Sequence, residues 1–184
     1  MLILASNSER RKKLLSDIGL EFKAVSNDVS EDINEKQKPE DIVMLLSKRK
    51  ADAAFVKHSN DTIIAADTMV WLDDAPVHAP STEEEAYSAL KKLSGLSHKV
   101  YTGVTIKNKD KEISFFESAV VYMKDYNDIQ IYEYIKTGEP YGKAGGYAIQ
   151  GKGEQLVESY VGDFFTIVGL PLKKLQKELE AFDY

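Results

Sequence analysis

Residues 62–72 read TIIAADTMVWL, an apolar run with one carboxylate, Asp67, at its centre. Ile63, Ile64, Met69, Val70 and Trp71 are residues of a buried strand. An ionised carboxylate among them costs about several kcal/mol unless a cation or hydrogen bonds compensate it. The run fits two readings equally: a structural ion pair or turn cap, and a functional site. If the charge is only a burden, Asp67→Asn should melt no lower than the parent protein.

Outward from this strand the apolar pattern alternates between strand and helix periods, with no internal repeat. Leu2 to Ala5 is a short buried strand. Ser8 caps a helix carrying Leu14, Leu15 and Ile18 that stops at Gly19, and Phe22 to Val25 is the next strand. Pro39 opens a long helix with Ile42, Leu45, Leu46 and Ala53 inward. After the Asp67 strand, Ser81 and Glu84 make a capping box for a helix through Ala86, Leu90 and Leu93, closed by Gly95. Val100 to Ile106 and Ile113 to Met123 form a hairpin about the polar KNKDKE. Ile129 to Ile135 is helical and ends at Gly138; residues 142–153 hold five glycines and should lack regular structure. Gln155 to Val161 returns as a strand, and Pro171 starts the last helix. Early strands separated by helices plus a hairpin predict one α/β domain, residues 1–184, on a mixed sheet with flanking helices.

Composition narrows the chemistry. The 184 residues include no cysteine, which excludes a catalytic thiol and thiolate zinc sites, and three scattered histidines, which support neither a His metal cluster nor a Ser-His-Asp triad. A net charge of −6 argues against duplex nucleic acid as a partner. No run has the length of a signal peptide or membrane span, so no membrane is expected and a cytoplasmic location is. Carboxylates, Lys, Arg and hydroxyls must do the work.

Arg10 and Arg11 occupy the opening turn of the first helix, where the macrodipole favours anions, and both lie on its inward side. With Ser6 and Ser8 they suit a phosphate cradle; arginines lying over a core edge are the alternative. Lys50, four residues after Leu46, is an inward lysine that needs a carboxylate or phosphate, unless its stem only covers apolar surface. The segment GKAGGYAIQGKG, residues 142–153, lets backbone approach a ligand, with Lys143 and Gln150 as polar contacts; a plain surface loop is the alternative. It misses the P-loop pattern because Gly153 follows Lys152. Together these features suit a cleft for a polyphosphate with a divalent metal, Asp67 holding metal-bound water or taking its proton.

The blocks LILASNSERR, SKRKADA, AADTMV, LSGLSHKVYTGV, GEPYGKAGGYAIQGKG and VGDFFTIVGLPL resemble, in order and over essentially the full length, the Maf family of nucleoside triphosphate pyrophosphatases. The resemblance implies an inosine-triphosphatase-like α/β fold with two lobes around a cleft. It also implies hydrolysis of a nucleoside triphosphate to monophosphate and pyrophosphate with Mg2+ or Mn2+, and a homodimer. Asp67 matches the proton acceptor, with Lys50 and Lys143 as catalytic positions and Ser6, Arg10 and Arg11 on the phosphate side. Glu31, with Asp67, matches a metal position. Arg10, Thr68 and Gln150 resemble the pattern of the dTTP/UTP-hydrolysing branch. Three positions depart: Glu9 replaces a proline, Ala79 a phosphate-facing lysine and Gly142 an aspartate. The loss at Ala79 supports a second reading, a catalytically impaired nucleotide-binding regulator linked to septum formation.

Overall fold

The computed structural model describes residues 1–26 and 29–184. Seven strands form one mixed sheet: β1 (Leu2–Ala5), β2 (Phe22–Val25), β3 (Thr62–Leu72), β4 (Ala75–Val77), β5 (Ser97–Lys107), β6 (Glu112–Met123) and β7 (Val157–Val161). Their order is β2-β1-β3-β5-β6-β7, with β4 paired to β3. β1 runs parallel to both β2 and β3, whereas β3–β4 and β6–β7 are antiparallel. The helices are α1 (Glu9–Asp17), α2 (Pro39–Lys57), α3 (Glu83–Leu93), α4 (Asp128–Ile135), α5 (Phe164–Val168) and α6 (Leu172–Leu179). The expected mixed α/β class and most element positions agree with this.

The chain forms two compact units, the first from Met1–Thr68, Thr102–Glu117 and Gly169–Tyr184, the second from Met69–Tyr101 and Ser118–Val168. In the first unit, Ile3, Ala5, Ile63 and Ala65 of the parallel strands pack with Ala51 and Ala54 of α2. Small residues here let the helix lie close to the strands. Gly103 of β5 shows how close: a Cβ there would fall 2.4 Å from the carbonyl carbon and oxygen of Val43. No substituent larger than hydrogen fits without moving α2.

The inward face of α2 departs from the expected one. It is made of Ile42, Val43, Leu46, Ser47, Ala51 and Ala54, while Leu45 is exposed and Ala53 half-buried. The rows 42–46–50–54 and 43–47–51 face the strands, and Leu45, about 100° round from Leu46, falls outside them. Lys50 remains on the inward row.

In the second unit the capping box sits one residue later than predicted. The Thr82 hydroxyl accepts from Glu85 N (3.2 Å), and Glu85 Oε2 accepts from Ser81 N and Thr82 N (2.7 and 3.3 Å). The turn between β5 and β6 is closed by Asn108, whose Oδ1 accepts from the amides of Asp110 and Lys111. The glycine segment is less irregular than expected, since Ala144–Gly146 and Lys152–Leu156 are short 3-10 turns. The second of these takes Gln155 and Leu156, so β7 begins at Val157. Two short elements carried too little periodicity to predict. β4 follows the Asp73 turn (φ 49°), and Asp163 starts α5 by accepting from Thr166 N and Oγ1 (2.7 and 2.8 Å). Among the described residues no helix is long and apolar enough to cross a membrane.

Candidate active site

Asp67 lies in the buried stretch of β3, 8% exposed. The cation its burial demands is Lys50, whose Nζ is 2.5 Å from Asp67 Oδ1. The same ammonium is 3.0 Å from Glu31 Oε1. Lys50 is placed by the inward row of α2, Asp67 by the strand against which that helix packs, and Glu31 by the segment between β2 and α2. Two carboxylates thus converge on one ammonium, Asp67 nearly enclosed and Glu31 with its side chain 67% exposed.

Arg11 is the second centre of charge. Its Nε donates to the Gly169 carbonyl (2.7 Å), NH2 to Thr68 Oγ1 (3.0 Å) and NH1 to Ser6 Oγ (3.4 Å). Burial pushes its pKa down to about 10, against the pull of Asp67, with further opposing contributions from Arg10 (down) and Glu31 (up). It therefore stays cationic at neutral pH. Gly169 (φ +122°) brings the chain close, since a Cβ there would meet Thr68 Oγ1 at 3.3 Å and Arg11 Nε at 3.6 Å. Thr68 and Thr102 also share a hydrogen bond of 2.9 Å. Ser6 Oγ accepts from Ser8 N (3.2 Å), and Ser8 caps α1 by accepting from Arg11 N. Arg10 and Arg11 are both half-buried, and the inward hydrogen bonds of Arg11 agree with the expectation that the pair faces the protein.

The first unit therefore gathers Ser6, Arg10, Arg11, Glu31, Lys50, Asp67 and Thr68, all of which the sequence singled out. Lys143 and Gln150 belong to the second unit. Lys143 is half-buried and precedes the Ala144–Gly146 turn; Gln150 is exposed. Gly142 N donates to the Pro80 carbonyl (3.1 Å), which puts exposed Ala79 in the loop beside the Lys143 segment. Sequence reasoning missed Glu139, which accepts hydrogen bonds from Tyr134 Oη, Lys152 N and Gly153 N. No local pattern marks such a residue, because its donors are 13 and 14 residues away on one side.

Asp67 and Glu31 are hard oxygen donors that meet at the Lys50 ammonium, and a divalent cation such as Mg2+ or Mn2+ would take its place between them. Among the described residues no group of three or more His, Asp or Glu is placed to hold a metal alone. Water and substrate phosphates would complete the coordination, the usual situation for magnesium.

The family model described as Maf-like protein matches residues 1–182. The chain belongs to the Maf family. A dTTP/UTP pyrophosphatase of Bacillus mycoides (strain KBAB4) is 43% identical over 182 residues, covering 99% of this chain and 95% of that protein. One of Bacillus cereus (strain ATCC 10987 / NRS 248) is 42% identical, covering 99% and 90%. Among solved structures the Staphylococcus aureus Ham1 protein is similar in fold, with a TM-score of 0.56 and 15% identity over 98% of each chain. This Maf chain thus carries the predicted fold class, and the resemblance drawn from its motif blocks is correct.

Proposed function

We propose that the chain is a nucleoside triphosphate pyrophosphatase that hydrolyses dTTP and UTP to the monophosphate and pyrophosphate. The observation that carries this reading is the full-length match to relatives named dTTP/UTP pyrophosphatase, and the enclosed Asp67 carboxylate offers it a proton acceptor.

Asp67 accepts the proton of a water whose oxygen bonds to the α-phosphorus, while the bond from that phosphorus to the bridging oxygen breaks and pyrophosphate leaves. An acceptor enclosed by β3 and held by one ammonium has a fixed direction. Ser6, Arg10 and Arg11 are the phosphate-binding groups of the first unit, and Lys143 is the phosphate-binding cation of the second. Their charge stabilises the negative charge that grows on the leaving group. Arg11 is already held on three sides by protein acceptors, so it meets the substrate as a fixed cation. Thr68 and Gln150 act in base recognition. A divalent cation held by Asp67 and Glu31 would neutralise phosphate charge and acidify the attacking water.

The test is pyrophosphate release across a panel of nucleoside triphosphates with magnesium or manganese. The expected result is preference for dTTP and UTP and loss of turnover on chelation. The absence of pyrophosphate from every nucleotide would instead favour an impaired nucleotide-binding regulator, the reading to which exposed Ala79 lends support.

A further inference from the structure

Three of the five glycines in residues 142–153 serve the protein's own packing: Gly145, where a Cβ would lie 2.9 Å from Val70 Cγ2, and Gly151 and Gly153. A Cβ on Gly151 would lie 2.0 Å from Glu139 Oε1, and one on Gly153 would lie 2.7 Å from the Ala148 carbonyl and 2.8 Å from Tyr134 Oη. Glycine suits these two positions because the chain closes around Glu139 and Tyr134.

The closure is specific. Tyr134 is fully buried on α4, and its hydroxyl donates to Glu139 Oε2 (2.5 Å) while accepting from Ala148 N (3.1 Å). Glu139 Oε1 accepts from Lys152 N (3.0 Å) and Oε2 from Gly153 N (2.8 Å). Gly151 N donates to the Ala148 carbonyl (3.1 Å), which makes residues 148–151 a tight turn. Ala148 and Ile149 are buried, yet Gln150 between these anchored positions is exposed. The backbone on both sides of Gln150 is thus pinned while its side chain is presented outward. An ionised carboxylate is needed for this, because it accepts only, and three donors point at it. Burial would raise the Glu139 pKa, but the Tyr134 hydroxyl, the two amides and the charge of Lys143 hold it below the ordinary value.

We propose that Glu139 is a positioning residue for nucleotide selectivity, fixing with Tyr134 the backbone of residues 148–153 and thereby the direction in which Gln150 offers its amide to the base. This rests on the pyrophosphatase reading for the role of Gln150. Glu139 touches no substrate and acts through the turn.

The test compares Glu139→Gln with the parent protein, with Tyr134→Phe as a second variant that keeps the carboxylate. A glutamine must turn an N–H donor toward one of three donors already there. Three readouts are taken: amide exchange over residues 148–153, kcat and KM for dTTP and ATP, and the equilibrium affinities for both nucleotides. We expect faster exchange confined to this turn, a rise in KM for dTTP larger than the fall in kcat, and a loss of about tenfold in dTTP-over-ATP preference, the size of a misplaced polar contact. Tyr134→Phe should move all three the same way. Unchanged exchange would overturn the inference, as would equal losses on both nucleotides, which mean a purely structural role. A parent protein that prefers dTTP in binding but releases no pyrophosphate would sink the pyrophosphatase reading and leave this one to be judged on affinities. One that binds neither nucleotide overturns both.

Discussion

The ammonium of Lys50 and the carboxylate of Asp67, 17 residues apart in sequence and 2.5 Å apart in the fold, answer each other's burial. Each read singly as an inward charge in need of a partner. Together they form one pair, and Glu31 is the exposed third member.

This pairing reverses the stability expected for Asp67→Asn. Removing an unpaired buried charge should cost nothing, but removing Asp67 takes from Lys50 its enclosed carboxylate, with the exposed Glu31 still beside it. The variant should lose pyrophosphate release by about 100-fold or more, the scale of a missing general base. A double-mutant cycle of Asp67→Asn with Lys50→Met, followed by denaturant unfolding, should give a coupling of about 1–3 kcal/mol. Zero coupling would mean the pair is not formed in solution.

Gly103→Ala tests the contact that seats α2. Its Cβ would meet the Val43 backbone at 2.4 Å, and a helix backbone cannot rotate away as a side chain can. A destabilisation of about 3 kcal/mol is expected, a fall of about 6–12 °C in Tm for a chain of this size. Calorimetry showing less than about 1 kcal/mol would mean α2 sits farther from β5.

Acid should weaken the fold through His98. Its ring is buried on β5, Nε2 lies 2.7 Å from Tyr147 Oη, and Nδ1 has no hydrogen-bond partner in the protein. Burial pushes its pKa down from 6.5 to about 4. The unfolded chain therefore binds the proton first as pH falls, so stability is full above about 6.5 and drains away down to about 4, by about 3 kcal/mol in all. His98→Gln should flatten that part of the Tm-against-pH curve relative to the parent. Parallel curves would exonerate this histidine.

Ala79→Lys supplies the cation that the family has at this position. The side chain would project from the exposed loop beside Gly142 and Lys143. A gain of about tenfold in kcat/KM is expected for a well-placed charge-assisted contact. An unaltered rate beside vigorous parent turnover would show that another group fills the role, and a clear loss would show that residue 79 is turned away from the phosphates.

The residues that could be read in sequence are those whose chemistry conflicts with their neighbours. A carboxylate in TIIAADTMVWL, a lysine on an inward helical row and arginines at a helix start each announce that something must compensate them. Local signals also set most of the elements, and they failed where two registers were equally good. Ser81 with Glu84 and Thr82 with Glu85 both satisfy the capping pattern, and the fold forms the second. Glu139 was illegible for another reason. A glutamate after a helix-ending glycine looks like surface, and its three donors converge only once residues 148–153 have folded back over Tyr134. The same closure gives Gly151 and Gly153 a packing role that the sequence did not announce.

The interleaving of the two compact units has a practical consequence for anyone dissecting this enzyme by deletion. Strands β3, β5 and β6 each begin in one unit and finish in the other, so a single cut anywhere from Val70 to Met123 divides both. The piece Met69–Tyr101 with Ser118–Val168 cannot be expressed without an artificial joint replacing residues 102–117. Truncation series will therefore report wholesale collapse whichever unit they aim at, and responsibility can be assigned only by single substitutions in the intact chain.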